Sequence, residues 1–346
     1  MTNESNPEVA PDLKPGGTSS IGAHSTKGLD GIPPGVVKQL GQNAREALTS
    51  TFTGIINGDP TPEDWRRGKV CLVPERGGNS DQLQDYRRIT VTSVLYRLSA
   101  QVIKRWMNGW AETQGLLTEL QNGFRRNRRG ENNLFVLIQS IEIARRESRG
   151  LIACLLDVAK AYDSVPHGHL LSRMEGLSMP PVWIEMLHRL YTGNIVEANF
   201  GGTRTRPVTV QRGLKQGCPL SPLLYMLYTA GTCPHGFRCR VQAQLVPRTP
   251  SREHHGVRGV LCSPCVRVLH ASSFDYGQLP TRSTFSPFDW SHDGTPTTWT
   301  LPGLVFADDL VLLVEDKAQL QHLVEISANH LHTLGLAFNP KKPAVL

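Results

Sequence analysis

In the stretch Leu301-Pro-Gly-Leu-Val-Phe-Ala-Asp-Asp-Leu-Val-Leu-Leu-Val314, two adjacent carboxylates, Asp308 and Asp309, interrupt an otherwise apolar run. A second apolar run, Leu151-Ile-Ala-Cys-Leu-Leu156, leads directly into Asp157. Both runs are short and bounded by Gly or Pro, which predicts buried strands. Ionised carboxylates in such strands are costly unless a cation or hydrogen bonds compensate. If the strands are neighbours, they gather the three carboxylates into a divalent-metal site.

Elsewhere in the chain, segments with the apolar spacing of a helix alternate with segments that have the apolar spacing of a strand. Helices are predicted over 35–53, the second half of 86–110, 132–149, 170–174, 182–191, 223–228 and 318–334. In the helix over 132–149, we expect Leu134, Leu137, Ile138, Ile141 and Ala144 to face the core. Further strands are predicted over 68–73, the start of 86–110, and a hairpin of 195–200 with 207–212. This mixture predicts an α+β fold with an antiparallel sheet backed by helices.

Two segments fall outside this pattern. Residues 1–30 are rich in Gly, Pro, Ser, Thr and Asn, and we interpret them as a disordered leader. Residues 229–300 have little periodicity, and so long a loop is unusual inside a compact domain. They are either a flexible insertion or sequence foreign to the fold, such as translated intron or a faulty gene model, and we prefer the second interpretation. The remainder divides into 31–150, 151–228 and 301–346.

The net charge of +7 is unevenly distributed. Residues 65–150 contain sixteen Lys and Arg against eight Asp and Glu. Such clustering favours a nucleic-acid partner, although a solvated charged face gives the same pattern. The densest basic patch consists of Arg125, Arg126, Arg128 and Arg129, next to Phe124. We expect the patch to bind template phosphates without base specificity, and Phe124 either to stack on the template or to pack in the core.

Other classes of protein are disfavoured. No apolar run reaches the roughly 18 residues of a membrane span, and the first residues do not resemble a secretory signal. The seven cysteines are odd in number and scattered, which indicates a reducing intracellular compartment. His254-His255 with Cys262 and Cys265 suggests zinc, but no second pair has the standard spacing, so we do not favour it. The oligomeric state is not predicted.

Three longer motifs together resemble one known family. They are Asp157-Val-Ala-Lys-Ala-Tyr-Asp-Ser-Val-Pro-His167, Gly213-Leu-Lys-Gln-Gly-Cys-Pro-Leu-Ser-Pro-Leu-Leu-Tyr225 and Phe306-Ala-Asp-Asp309. In this order they resemble the core motifs of reverse transcriptases, above all those of LINE-type, non-LTR retrotransposons. Supporting matches are Trp65-Arg-Arg-Gly-Lys-Val-Cys-Leu-Val-Pro74, Asp85-Tyr-Arg-Arg-Ile-Thr90, Gln121-Asn-Gly-Phe-Arg125 and Gly335-Leu-Ala-Phe-Asn-Pro-Lys-Lys342.

The resemblance covers residues 25–228 and 301–346. It implies the fingers and palm of a right-handed polymerase, with the thumb missing. It also implies a catalytic site in which Asp157, Asp308 and the Val158 carbonyl hold two Mg²⁺ ions, with Mn²⁺ as an alternative, roughly 3.5–4 Å apart. Asp309 would be a further ligand or would position the primer end.

The resemblance also implies a nucleotide-binding set. Tyr162 would exclude ribonucleotides by colliding with a 2′-hydroxyl, with a plain core aromatic as the less favoured alternative. Gln216 and Gly217 would contact the incoming nucleotide, with a simple turn as the alternative. Arg87 and Lys69 would meet the triphosphate. Lys341 or Lys342 would lie near the phosphates unless exposed.

The expected function is therefore RNA-directed DNA polymerisation, with an RNA template, a DNA primer or target and dNTPs as partners and, by resemblance, a nuclear location. The alternative is an inactive remnant that only binds nucleic acid. Glu75 and Arg88 stand where the family has Lys and Pro, and Gln216 and Asp308 lie 92 positions apart. The chain also ends just past the palm, so we expect weak grip on the duplex and poor or absent activity in isolation.

Overall fold

The computed structural model describes residues 26–74, 82, 85–200, 203–230, 240–245, 266–268, 297–300, 303–340, 342 and 344–345. Several expectations concern other parts of the chain. The leader up to residue 25, Glu75, His254-His255, Cys262, Cys265, most of 229–300 and Lys341 lie outside the described residues.

Helices and strands are mixed throughout the described part, so the predicted α+β class is confirmed. The helices are α1 (Pro34–Lys38), α2 (Gln42–Asn57), α3 (Glu63–Arg66), α4 (Val94–Thr113), α5 (Gly130–Arg146), α6 (Ala161–Ser164), α7 (His167–Gly176), α8 (Pro181–Tyr191), α9 (Ser221–Tyr228) and α10 (Lys317–Thr333). The strands are β1 (Arg67–Pro74), β2 (Tyr86–Val91), β3 (Ile152–Asp157), β4 (Ile195–Phe200), β5 (Thr203–Arg204), β6 (Val208–Thr209), β7 (Arg240–Leu245), β8 (Val266–Val268), β9 (Thr297–Thr300), β10 (Gly303–Phe306), β11 (Asp309–Val314) and β12 (Ala344–Val345). None of these helices has both the length and the apolarity needed to cross a membrane.

The chain forms two compact units, each built from separate segments. The first unit contains residues up to 117, 159–230 and 333–336. Its sheet has the order β2-β1-β4-β5, with β6 also paired to β4. Strand β1 runs antiparallel to β2 and parallel to β4. The predicted hairpin is present, because β4 pairs antiparallel with both β5 and β6.

Helices form the core of the first unit. Ser93 precedes helix α4 as its N-cap, and its hydroxyl oxygen accepts the Tyr96 N–H at 3.3 Å. Helix α8 packs against α2 and α7, and α9 packs against α7 and α4. Every residue of α9 except Pro222 is buried, which explains why its sequence is apolar on all sides.

The second unit contains residues 118–158, 231–332 and 337–346. Its main sheet has the strand order β10-β11-β3-β12, and each neighbouring pair of strands is antiparallel. One face packs through Cys154, Leu156, Leu310, Leu312 and Val314 against Leu323 of α10. The other face packs through Ala153, Leu304 and Leu313 against Val136 and Leu137 of α5. Because both faces are covered, β3 and β11 are continuously apolar instead of alternating.

A second sheet in this unit comes from the segment 229–300. Strand β7 pairs antiparallel with β8 and with β9, in the order β8-β7-β9. These three strands are the part of that segment, after Ala230, for which the structure gives a fold.

Two details of the sequence prediction are wrong. The helix predicted over 35–53 is instead α1 and α2, separated at Gly41, which has an extended conformation (φ −68°, ψ 171°) and precedes α2. Gly is a poor helix former and favours such a break.

The predicted inward face of α5 is also wrong in part. Leu134, Ile138 and Ile141 are 56%, 44% and 39% exposed, whereas Leu137 packs on the sheet as expected. Helical periodicity identifies an apolar face but does not say which part of that face the sheet will cover.

Candidate active site

Two of the predicted catalytic carboxylates are partners in the second unit's sheet. Strand β3 ends at Asp157, β11 begins at Asp309, and the antiparallel register places these two residues opposite each other. Directly paired residues of antiparallel strands have Cα atoms about 4.5–5.5 Å apart. The apolar pairs that follow, from Leu156 with Leu310 to Ile152 with Val314, hold this register because a slip of one residue would move every side chain to the opposite face of the sheet.

The third carboxylate, Asp308, lies in the turn that joins β10 to β11. Phe306 pairs with Asp309, so the turn consists of Ala307 and Asp308. Ala307 has a φ of +59°, a left-handed conformation that is uncommon for a residue with a Cβ. The turn therefore places Asp308 immediately before the Asp157–Asp309 pair.

Burial and neighbouring negative charges raise the pKa of two carboxyl groups in this cluster, those of Asp308 and Asp309. Burial raises the pKa of Asp308, and the neighbouring carboxylates of Asp309 and Asp157 raise it further. Burial also raises the pKa of Asp309, again with a contribution from Asp157. Lys342 acts in the opposite direction on both. A cation bound among these carboxylates would relieve the same repulsion.

Asp157 is held by residues that follow α10. The Asn339 side chain donates from Nδ2 to Asp157 Oδ2 at 3.1 Å, and the Asn339 backbone N–H donates to the Asp157 carbonyl at 2.7 Å. Lys342 Nζ lies 3.1 Å from the same Oδ2. An isolated antiparallel bridge between Val158 and Phe338 continues the contact. One oxygen of Asp157 thus already has a cation and an amide donor.

The chemistry of these ligands fits a hard divalent cation. Mg²⁺ prefers oxygen ligands and is usually held by one or two carboxylates together with substrate phosphates and waters. The described residues contain no cluster of three or more His, Cys, Asp or Glu side chains arranged to hold a metal ion by themselves. Asp157 and Asp308 are the residues that could hold the metal, together with the Val158 carbonyl.

Five of the predicted nucleotide-binding residues lie in the first unit, namely Tyr162, Gln216, Gly217, Arg87 and Lys69, whereas Val158 and Lys342 lie in the second. Gln216 accepts the Thr90 N–H at its backbone carbonyl, at 2.7 Å, so the loop before α9 is joined to β2. Gly217 has a φ of +100°, and a Cβ there would lie 3.2 Å from the Thr90 carbonyl oxygen. Glycine is therefore required by both the conformation and the close approach.

The two predicted triphosphate-binding cations belong to the same sheet. Arg87 is exposed on β2, opposite Val73 of β1. Lys69 is half-buried on β1, opposite Val91. They lie on separate strands, four pairs apart along the ladder between β1 and β2.

Arg88, which replaces the family's proline, has a partner of its own. Its guanidinium lies 3.2 Å from Asp163 Oδ2, and Gln216 Nε2 donates to Asp163 Oδ1 at 3.4 Å. Burial raises the pKa of Asp163, while Arg88, Lys160 and the Gln216 hydrogen bond lower it. Asp163 therefore connects Arg88 to the side chain of Gln216.

Tyr162 lies on α6, next to this network in the chain. Its half-buried ring stacks on Tyr225, with ring centroids 5.1 Å apart and an interplanar angle of 19°. The stack fixes the orientation of the Tyr162 ring.

The basic patch predicted to bind template lies in the second unit, and its arginines differ in exposure. Arg125 is buried and donates to the backbone carbonyls of Thr118 and Gln121. Arg128 is half-buried and forms an ion pair with Glu119. Arg126 and Arg129 are exposed. Phe124 is 48% exposed, with its ring centroid 6.3 Å from that of Phe306.

Sequence reasoning gave no role to Asn339, which donates to Asp157, or to Gln121, whose side chain hydrogen-bonds the Ala307 backbone in the acidic turn. Asn339 and Gln121 both lie in quoted motifs, but the prediction assigned the first motif to its lysines and the second to the template. The available signal was a polar residue inside a short apolar context, Leu120-Gln121 and Phe338-Asn339. Such residues are often buried and hydrogen-bonded.

With this arrangement described, the comparison with known proteins is informative. Residues 73–234 match the family described as "Reverse transcriptase (RNA-dependent DNA polymerase)". The matched range includes Asp157 and the Gln216-Gly217 pair, and it ends before β10 and β11. Asp157, Gln216 and Gly217 therefore lie in the part of the chain that matches this family.

Several similar proteins are named after retrotransposable elements or transposons. The Retrovirus-related Pol polyprotein from type-1 retrotransposable element R2 of Nasonia vitripennis is 24% identical over 310 residues, which cover 90% of this chain and 25% of the relative. The probable RNA-directed DNA polymerase from transposon BS of Drosophila melanogaster is 23% identical over 219 residues, or 63% of this chain and 24% of the relative. The probable RNA-directed DNA polymerase from transposon X-element of the same species is 25% identical over 202 residues, which cover 58% of this chain and 22% of the relative.

The chain spans about a quarter of the length of these relatives. Residues 73–234 thus match a reverse transcriptase domain, and the similar proteins are named after retrotransposable elements or transposons.

Proposed function

We propose that this chain supplies the catalytic core of an RNA-directed DNA polymerase, which adds dNTPs to a DNA primer along an RNA template. The observation that carries the proposal is the pairing of Asp157 with Asp309, next to Asp308 in the adjoining turn. Three carboxylates at one end of a sheet are costly unless they serve a cation. The names of the similar proteins, which include RNA-directed DNA polymerase, support the same conclusion.

Asp157, Asp308 and the Val158 carbonyl would hold Mg²⁺, or Mn²⁺ in its place. When bound, such ions activate the primer hydroxyl and stabilise the leaving pyrophosphate. Asp309 shares the negative field of the site and would orient the primer end. Lys342, which forms an ion pair with Asp157, would be released to pair with a phosphate when a metal ion neutralises that carboxylate.

The predicted nucleotide-binding residues would contact the incoming dNTP. Gly217, which approaches the Thr90 backbone closely, and Gln216, which is oriented by its hydrogen bond to Asp163, would contact the dNTP. Arg87 and Lys69 would attract the triphosphate. Tyr162, fixed by its stack on Tyr225, would exclude a 2′-hydroxyl.

The second unit would also contact the template. Arg126 and Arg129 are the exposed arginines of the basic patch, and contacts from such side chains to phosphates position nucleic acid without reading its sequence. Phe124, beside them in the chain, has enough exposed ring to stack on a base.

Primer extension tests the proposal. The purified chain is given an RNA template, an annealed DNA primer, dNTPs and Mg²⁺, and is compared with Asp308→Ala and Asp157→Ala. We expect weak but Mg²⁺-dependent extension by the wild type and its loss in both variants. The matched control is Glu325→Gln, an exposed carboxylate on α10 whose hydrogen bond from Gln321 a glutamine can still accept.

Two results would contradict the proposal. Extension that survives Asp308→Ala would show that the carboxylates are not catalytic. No Mg²⁺-dependent extension by the wild type, with retained binding to the RNA–DNA duplex, would instead indicate a remnant that only binds nucleic acid.

A further inference from the structure

The segment before the basic patch lies along the edge of the second unit's main sheet. Gln121 forms an isolated parallel bridge with Val305 of β10. The Val305 N–H donates to the Leu120 carbonyl, and the Asn122 N–H donates to the Val305 carbonyl, both at 3.0 Å. Asn133 Nδ2 donates to the same Val305 carbonyl at 3.1 Å. This segment is therefore fixed to the strand that leads into the acidic turn.

The Gln121 side chain extends from this segment to the turn itself. Its Oε1 accepts the Ala307 N–H at 2.9 Å, and its Nε2 donates to the Ala307 carbonyl at 3.4 Å. Oε1 also accepts the Gly123 N–H at 2.8 Å. Only the amide oxygen can accept from two N–H groups, so the orientation of the amide is determined. Gln121 is buried, so water does not replace these bonds.

The residue held in this way has an unfavourable backbone conformation. Ala307 has a φ of +59°, and its Cβ disfavours the left-handed region. Residues with such conformations persist where the surrounding structure holds them, and they are concentrated at functional sites. The Gln121 amide hydrogen-bonds both the backbone N–H and the backbone carbonyl of Ala307 and so stabilises this conformation.

Gly123 contributes a steric requirement. A Cβ at Gly123 would lie 2.5 Å from the Ala307 nitrogen and 2.9 Å from Gln121 Oε1. The segment therefore approaches the turn as closely as backbone atoms allow.

We propose that Gln121 is a positioning residue for the acidic turn, because its amide fixes Ala307 and thereby sets where Asp308 and Asp309 lie relative to Asp157. The proposal rests on the proposed function, since the carboxylates are taken as the metal site. It gives Gln121 a role on the catalytic turn instead of on the template.

Metal binding by the full chain gives a test that does not depend on polymerase activity. Free Mn²⁺, measured by electron paramagnetic resonance, reports its affinity for the protein, and Gln121→Met keeps the side-chain volume while removing all three hydrogen bonds. Loss of a residue that orients metal ligands typically costs 10–100-fold in metal affinity, so we expect a loss of about tenfold. The matched control is Leu323→Val, which removes one methylene from the core of the same unit and should leave Mn²⁺ affinity unchanged.

The outcomes separate the two proposals. If wild type and Asp308→Ala bind Mn²⁺ equally, the carboxylates are not the metal site, and both proposals are overturned. If Asp308→Ala loses Mn²⁺ affinity and Gln121→Met retains it, only the role of Gln121 is overturned. If Leu323→Val loses as much affinity as Gln121→Met, the effect reflects general destabilisation and the role of Gln121 is likewise overturned.

A double-mutant cycle with Ala307→Gly tests whether Gln121 acts by stabilising the positive φ of Ala307. Glycine adopts a positive φ without the Cβ penalty, so the turn should depend less on the amide. We therefore expect Gln121→Met to cost less Mn²⁺ affinity in the Ala307→Gly background than in the wild type. Strictly additive effects of the two substitutions would contradict the proposed coupling.

Discussion

Asp309 lies directly opposite Asp157 in the antiparallel pairing of β3 with β11, and Lys342 Nζ lies 3.1 Å from Asp157 Oδ2. A lysine thus partly compensates the negative charge at the end of this sheet. A divalent cation that binds Asp157 competes with Lys342 for the same oxygen. Metal binding should therefore stabilise this unit and release Lys342.

In the metal-free protein, Asp308→Asn should become increasingly stabilising as the pH rises. Burial and the neighbouring carboxylates raise the pKa of Asp308 in the folded chain above its value of about 4 in the unfolded chain. Stability from this group is present below the unfolded pKa and is lost as the pH rises through the folded pKa. Denaturation in EDTA from pH 3.5 to 7 measures the effect. A constant difference in unfolding free energy between Asp308→Asn and wild type would contradict it.

Asn339→Ala should weaken the metal site without unfolding the sheet. The substitution removes the Nδ2 hydrogen bond to Asp157 but leaves the backbone hydrogen bond in place. We expect the Mg²⁺ concentration for half-maximal primer extension to rise by about tenfold, with little change in rate at saturating Mg²⁺. The control is Asn329→Ala, the same change at an exposed position on α10. An unchanged Mg²⁺ dependence for Asn339→Ala would remove any role of that side chain in orienting Asp157.

Lys215→Met should remove a pH dependence of stability in the first unit. Burial lowers the pKa of Lys215 to about 8, while its Nζ donates to the Trp65 carbonyl at 3.2 Å and lies 4.5 Å from the centroid of the Tyr96 ring. The unfolded lysine has a pKa near 10.4, so the unfolded state binds more protons between these values. Stability from this group should therefore rise from about pH 8 towards pH 10, by about 2 kcal/mol.

Chemical denaturation of wild type and Lys215→Met at several pH values measures this rise. Burial also lowers the pKa of Lys104, so the difference between the two proteins isolates Lys215. Equal slopes with pH would show that the buried amine does not titrate in this range.

The exposed arginines of the basic patch should determine how strongly salt weakens duplex binding. Each phosphate contact contributes about 0.7–0.9 to the slope of log affinity against log salt, so Arg126→Ala with Arg129→Ala should reduce that slope by about 1.5. The control pair is Arg145→Ala with Arg146→Ala, the same charge change at exposed positions at the end of α5. Equal slopes for both pairs would mean that charge alone, and not this patch, governs binding.

The sequence predicted the strands of the acidic sheet because both runs are apolar and end in carboxylates. It did not determine that Asp309, and not Asp308, opposes Asp157. That register depends on the two-residue turn at Ala307 and Asp308, which Gln121 holds from 186 positions away in the chain. Local periodicity contains no information about such a contact.

The same limit explains the error in α5. The spacing of Leu134, Ile138 and Ile141 is helical, and the helix is present. Which apolar residues become buried depends on how the helix meets the sheet, and Val136 and Leu137 make that contact. Likewise, the ion pair of Arg88 with Asp163 could not be read from either motif alone.

Metal-directed cleavage tests the central claim most directly. Fe²⁺ bound in place of Mg²⁺, with ascorbate and peroxide, produces hydroxyl radicals that cut the backbone beside the bound ion, and mass spectrometry locates the cuts. We predict cleavage next to Asp157 and next to Asp308, suppressed by excess Mg²⁺ and absent from Asp157→Ala. Cleavage only elsewhere in the chain, or cleavage that Mg²⁺ does not suppress, would contradict a metal site at the end of β3 and β11.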